Sequence, residues 1–201
     1  MRSDARANRK DLLEAAEALL NVHGPTVSLR AVAQEAGVGV GTLYRHFPTR
    51  RHLLTALLGR IIERVDTIVA DYLAETGEPE GDVGAPASDG ELARVRWHRF
   101  ATDLVGVNLT VAASFLDSLD RKDLPSEDMI EAAEKTLLQR MEDVLVRARA
   151  DRLVSEDLTG ERFFTGLLMV SRPLLSVERW HPPGQEDWML RTYLRGLRPQ
   201  G

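Results

Sequence analysis

Between Ser28 and Phe47 the chain reads as two short helical runs joined by Gly37-Val38-Gly39, and no other segment constrains the fold as tightly. Two short helices that cross closely need a small residue at their contact, and Ala33 supplies it. The turn between them needs a residue that tolerates a left-handed backbone, and Gly37 stands there. Val38 is placed to plug the corner, and Leu43 and Phe47 to anchor the second helix. That leaves Thr42, Tyr44, Arg45 and His46 on a face free to enter a DNA groove, the arrangement of a helix-turn-helix. The same spacing also suits a helical hairpin that only packs.

The remaining segments carry the helical period almost throughout. Asp11 to Val22 places Leu12, Leu13, Ala16, Leu19 and Leu20 on one stripe, and His23-Gly24-Pro25 ends it. Ser28 caps the run Leu29 to Ala36, and Phe47-Pro48 closes the run from Val40 to His46. Thr49 caps a long helix to about Glu75. Further helices are predicted at about 91–104, 107–119 and 126–150, then from Thr159 to Val177 with a kink at Pro173, and at 186–198. No strand pattern emerges, so the chain is predicted to be all-α. Residues 1–50 form a three-helix DNA-binding domain in this reading. Residues 51–201 form a larger helical domain, interrupted by a mobile Gly- and acid-rich loop over Thr76 to Gly90.

Composition narrows the chemistry. The 201 residues suffice for a core without staples, and the absence of cysteine removes disulfides, thiolate metal sites and thiol catalysis. No apolar run approaches the ~18 residues of a membrane span, and the N-terminus lacks the apolar stretch of a signal peptide, so a cytoplasmic location is expected. Residues 1–60 hold nine Arg/Lys against five Asp/Glu, whereas the whole chain is −5, so a polyanion is expected at one end only. Gly37, Gly39 and Gly41 miss the spacing of a phosphate loop. A di-iron bundle needs two Glu-x-x-His pairs, and there is one, Glu178 with His181. No enzyme and no cofactor are therefore expected. His98 reads as a partly buried, hydrogen-bonded histidine.

The phrase Ala36-Gly-Val-Gly-Val-Gly-Thr-Leu-Tyr-Arg-His-Phe-Pro-Thr-Arg50 resembles the signature of the tetracycline-repressor (TetR) family, and the resemblance covers residues 8–60. It implies a homodimeric repressor that leaves a palindromic operator when a small ligand binds the helical body. An adaptor that has lost DNA binding is the alternative. By resemblance, Arg30, Thr42, Tyr44 and His46 match positions that reach bases or phosphates, and Ser28 and Arg50 match phosphate contacts. Gly39 and Arg45 complete the DNA-facing set. Val40 departs from the family, standing where many members carry a polar or basic residue; contact with a thymine methyl is one use for it.

Two further expectations concern the body. Phe163, Phe164, Leu167, Leu168, Leu194 and Leu197 on the last two helices are expected to build a dimeric four-helix bundle. Trp97, Phe100, Leu104, Asn108 and Phe115 are expected to line a pocket for an apolar or amphipathic effector.

Overall fold

The computed structural model describes residues 2–23, 27–75, 88–107, 120–170 and 182–199, and all regular structure among them is helical. In chain order the helices are α1 (Arg2–His23), α2 (Leu29–Glu35), α3 (Val40–His46), α4 (Arg50–Ala74), α5 (Asp89–Val105), α6 (Glu127–Ala150), α7 (Gly160–Val170) and α8 (Gln185–Gly196). They divide into two units. One comprises Met1–Ile61 and Val111–Ala132, the other Ile62–Thr110 and Ala133–Gly201, so the division falls inside α4 and α6.

In the first unit α1 packs on α2 and α2 on α3. Leu12, Leu13, Ala15 and Ala16 of α1 meet Val32 and Ala33, Leu43 and Phe47, and Leu53, Leu54 and Leu57 of α4 in one buried cluster. Each fully buried Leu or Phe here stabilises the fold by about 1.5–3 kcal/mol. Arg60 of α4 reaches back to Glu14 at 3.1 Å and Glu17 at 3.4 Å, tying α1 to α4 outside the core. α1 begins nine residues before the predicted start at Asp11. The apolar stripe starts only at Leu12, so a periodicity argument misses preceding turns that contribute nothing to it.

The second unit is built around rings. Tyr72 of α4 lies 4.8 Å from Phe100 and 5.9 Å from Trp97, centroid to centroid. Trp97 stacks on Phe100 at 5.5 Å and meets Phe163 of α7 at 5.1 Å, and Phe163 stacks on Tyr193 of α8 at 6.3 Å. Burial raises the pKa of both Tyr72 and Tyr193 to about 12. Tyr193 is locked in place: its hydroxyl donates to the Phe163 carbonyl at 2.8 Å, and its ring lies directly over Gly166. A Cβ on Gly166 would fall 2.4 Å from the Tyr193 oxygen, so only glycine permits this approach of α8 to α7.

The C-terminal carbonyls of α4 need partners that the helix cannot give. Arg147 of α6 supplies them, donating to Leu73 at 2.9 Å and to the carbonyls of Tyr72 and Glu75, with its guanidinium 5.2 Å over the Tyr72 ring. Thr159 caps α7 as predicted, accepting from the Arg162 amide at 3.3 Å. Ser88 precedes α5 as its N-cap, and Asp89 and Gly90 are its first residues, so these three positions are ordered where a loop was expected. The rest of that loop, the kink at Pro173, the pair Glu178 and His181, and the expected pocket residues Asn108 and Phe115 lie outside the described residues.

Within the chain, Phe163, Leu167 and Leu194 are at most 6% exposed and lie where α7 and α8 pack against α5. Phe164, Leu168 and Leu197 are half-buried. The large apolar residues that α7 and α8 do expose are Met169, at 73%, Trp188, at 58%, and Met189. Trp97, Phe100 and Leu104 are at most 3% exposed, their rings filling one another's space, and Trp97 also edges a cleft between α5 and α8.

Candidate nucleic-acid interface

The local chemistry of residues 28–50 folds as its sequence dictates. Ser28 takes an extended backbone, and its Oγ accepts from the Ala31 amide at 3.1 Å, capping α2. α2 ends where Gly37 enters the left-handed region at φ +66°, which lets the Val38 amide turn back to the Ala33 carbonyl at 3.0 Å. Ala33 is wholly buried, so the two helices meet over a methyl group. The Gly39 carbonyl accepts from Thr42 at 2.8 Å and Leu43 at 3.2 Å and starts α3. Phe47 closes it through its amide to the Leu43 carbonyl at 2.7 Å. Thr49 then caps α4, its Oγ1 accepting from the His52 amide at 3.4 Å.

This frame sorts the predicted site residues. Leu43 and Phe47, at most 1% exposed, pin the inner side of α3. Tyr44 is 49% exposed, Arg45 is exposed, and Thr42 and His46 are half-buried. Ser28, Arg30 and Gly39 are exposed as well. Arg50, the first residue of α4, is half-buried and lines a small cavity with Leu20, Val27 and Leu53. Val40 differs from the rest: it packs partly against the head's own core.

Sequence reasoning missed Arg9. Its guanidinium sits 4.8 Å over the Phe47 ring, which holds a cation of α1 at the C-terminal end of α3. The only sequence signal was its place in a basic N-terminus. Arg51 was also missed; it donates to the Arg121 carbonyl at 3.3 Å within the same unit.

Comparison with known proteins matches this geometry. A family model described as bacterial regulatory proteins, tetR family, fits residues 12–57, which spans α2, the turn and α3. Residues 12–57 carry the DNA-binding head of the TetR family. The transcriptional repressor KstR of Mycolicibacterium smegmatis is 50% identical over 62 residues, and that of Rhodococcus jostii 48% over 63. The match spans only 30% of either repressor's length, so it speaks for the TetR head and not for the body. A TetR transcription regulatory protein of Mycobacterium vanbaalenii superposes over 98% of this chain and 99% of its own, with TM-score 0.62 and 27% identity. A TetR-family regulator of Agrobacterium tumefaciens covers 97% of this chain and 100% of its own at TM-score 0.67; at 17% identity it shares the fold alone.

Proposed function

We propose that this TetR-family protein is a homodimeric transcriptional repressor that grips a palindromic operator with α3 and releases it when a small molecule binds the second unit. One observation carries the DNA half of this reading. The capped turn at Gly37 fixes α3 on its buried side through Leu43 and Phe47 and leaves Tyr44 and Arg45 exposed, as Arg30 of α2 is. A helix held this way can lie in a major groove with its side chains on base edges. Ser28, Tyr44 and Arg50 are assigned to phosphates, and Arg30, Thr42 and Arg45 to bases, with Gly39 and His46 flanking them. Val40 drops to a supporting role.

Two heads on one duplex imply a dimer. We assign its interface to the outward faces of α7 and α8, around Phe164, Leu168, Met169, Trp188 and Met189. The effector is assigned to the second unit, and no catalytic step is assigned. No described helix is long and apolar enough to cross a membrane, in keeping with a protein that meets DNA. Selection of bound duplexes from a random pool tests the reading. Enrichment of an inverted repeat, with half-sites about 10–10.5 base pairs apart or a multiple of that, is the expected result. Failure to enrich any sequence would favour the adaptor alternative.

A further inference from the structure

Helices α5 and α8 leave a cleft of about 360 Å³ between them, wholly inside the second unit. That volume is in the range of small-ligand sites, about 300–1,000 Å³. Its walls follow from helical spacing. On α8, Arg191 and Arg195 stand four residues apart on one face, and Arg198 follows three residues later. On α5, Arg94 and His98 are likewise four apart and face them. Val95, Trp97 and Leu194 add an apolar surface between the charged groups.

The charges do not cancel. Asp187 lies 2.8 Å from Arg191 and 3.1 Å from His98 Nε2, close enough for charge contact with the imidazole though off-axis for a hydrogen bond. Glu91 is the one carboxylate among the residues lining the cleft. Arg94, Arg195 and Arg198 have no carboxylate within 4.0 Å among the described residues. Four guanidiniums against two carboxylates leave an excess of two positive charges at a site whose apolar part is a valine, an indole and a leucine. The buried Trp97 Nε1 also lacks a hydrogen-bond partner among the described residues. In a chain whose net charge is −5, such a cluster runs against the average and concentrates attraction for anions.

We propose that this cleft binds an anionic amphiphile: a carboxylate or phosphate head held by Arg94, Arg195 and Arg198, with an aliphatic or aromatic body laid on Trp97 and Leu194. Guanidinium forks suit either oxyanion through paired N–H donors. The inference deepens the effector half of the function proposed above, and rests on that reading only for what binding does to DNA.

Binding is therefore measured without DNA. The full-length protein is titrated by calorimetry with octanoate, inorganic phosphate and neutral octan-1-ol. Saturable octanoate binding at about one per chain is expected, weakened by added salt and at least tenfold by Arg94→Ala/Arg195→Ala. Octan-1-ol should bind at least tenfold more weakly than octanoate. Tighter binding of phosphate than of octanoate would identify a phosphate head as the preferred source of the same oxyanion. Arg94→Lys/Arg195→Lys keeps the charge and should retain most of the affinity, whereas Arg162→Ala, outside the cleft, should leave it unchanged. Circular dichroism verifies that each variant is folded. The proposal is overturned if neither anion binds at 10 mM (roughly the ceiling for a small fragment), or if octan-1-ol binds as well as octanoate. It is equally overturned if the folded double alanine variant binds like the unmodified protein. DNA binding measured on the same samples reports on the operator reading separately.

Discussion

Gly37 and Gly41 lie four residues apart, and alanine at each should move stability in opposite directions. A Cβ on Gly37 would have nothing within 4 Å, so space is not at issue there; the backbone angle is. At φ +66° an L side chain crowds the adjacent carbonyl, at a cost of roughly 1–2 kcal/mol. Alanine also reduces the freedom of the unfolded chain, which offsets about 0.4–1 kcal/mol. The net loss for Gly37→Ala is about 1 kcal/mol, smaller for Gly37→Asn, which tolerates this region, and larger for the β-branched Gly37→Val. Gly41 sits inside α3, also with open space around its Cβ position. Gly41→Ala should therefore stabilise by about 0.5–1 kcal/mol. Thermal unfolding followed by far-ultraviolet circular dichroism reads both, at about 2–4 °C per kcal/mol for a chain of this size. If Gly37→Ala and Gly37→Val raise the midpoint, or Asn, Ala and Val cost the same, the left-handed turn is not what holds α2 to α3.

Other substitutions probe the second unit and the head. Gly166→Ala must displace the Tyr193 ring and should cost about 1–3 kcal/mol by urea denaturation. Arg147→Met removes the donors to the end of α4 and should cost about 1–3 kcal/mol in the same assay, with an unchanged midpoint counting against the capping role. Tyr72 and Tyr193 ionise at about 12 in the fold, above their value in an unfolded chain. The stability they confer is thus complete below about pH 10 and declines as pH rises towards 12, visible as alkaline unfolding coupled to tyrosinate absorbance. Light scattering should show a dimer for the unmodified protein, as proposed, and a monomer for Met169→Glu, on an exposed position of α7, without loss of helicity. On a selected operator, Arg50→Ala should weaken all sequences alike, while Arg30→Ala relaxes preference at one position per half-site by about 1–3 kcal/mol; the reverse pattern would exchange their roles.

The head was legible in the sequence because its determinants are local. The Ser28 cap, the left-handed Gly37, the small Ala33 and the anchors Leu43 and Phe47 all lie within twenty residues of one another. Each acts through a bond or contact with a near neighbour in sequence. Helical periodicity likewise gave most of the longer elements. What it could not give was the partner of an apolar stripe. Phe163 and Leu167 form such a stripe on α7, and that it packs on α5 of its own chain is not encoded in its spacing. The same holds for Arg147 under the end of α4, and for Arg94 facing Arg195, groups brought together across tens of residues by packing that no spacing rule encodes.

The central claim is that the outward face of α3 holds duplex DNA. A fluorescence-anisotropy titration of a selected duplex, repeated at several salt concentrations, tests it most directly, comparing the unmodified protein with Thr42→Ala/Tyr44→Ala/Arg45→Ala. Tyr44 and Arg45 are exposed and Thr42 is only half-buried, so the variant should keep its helicity, which circular dichroism verifies. The account predicts salt-dependent binding by the unmodified protein, and loss of sequence-specific binding with a shallower salt slope in the folded variant. Equal affinity and an equal slope for the two proteins would contradict it.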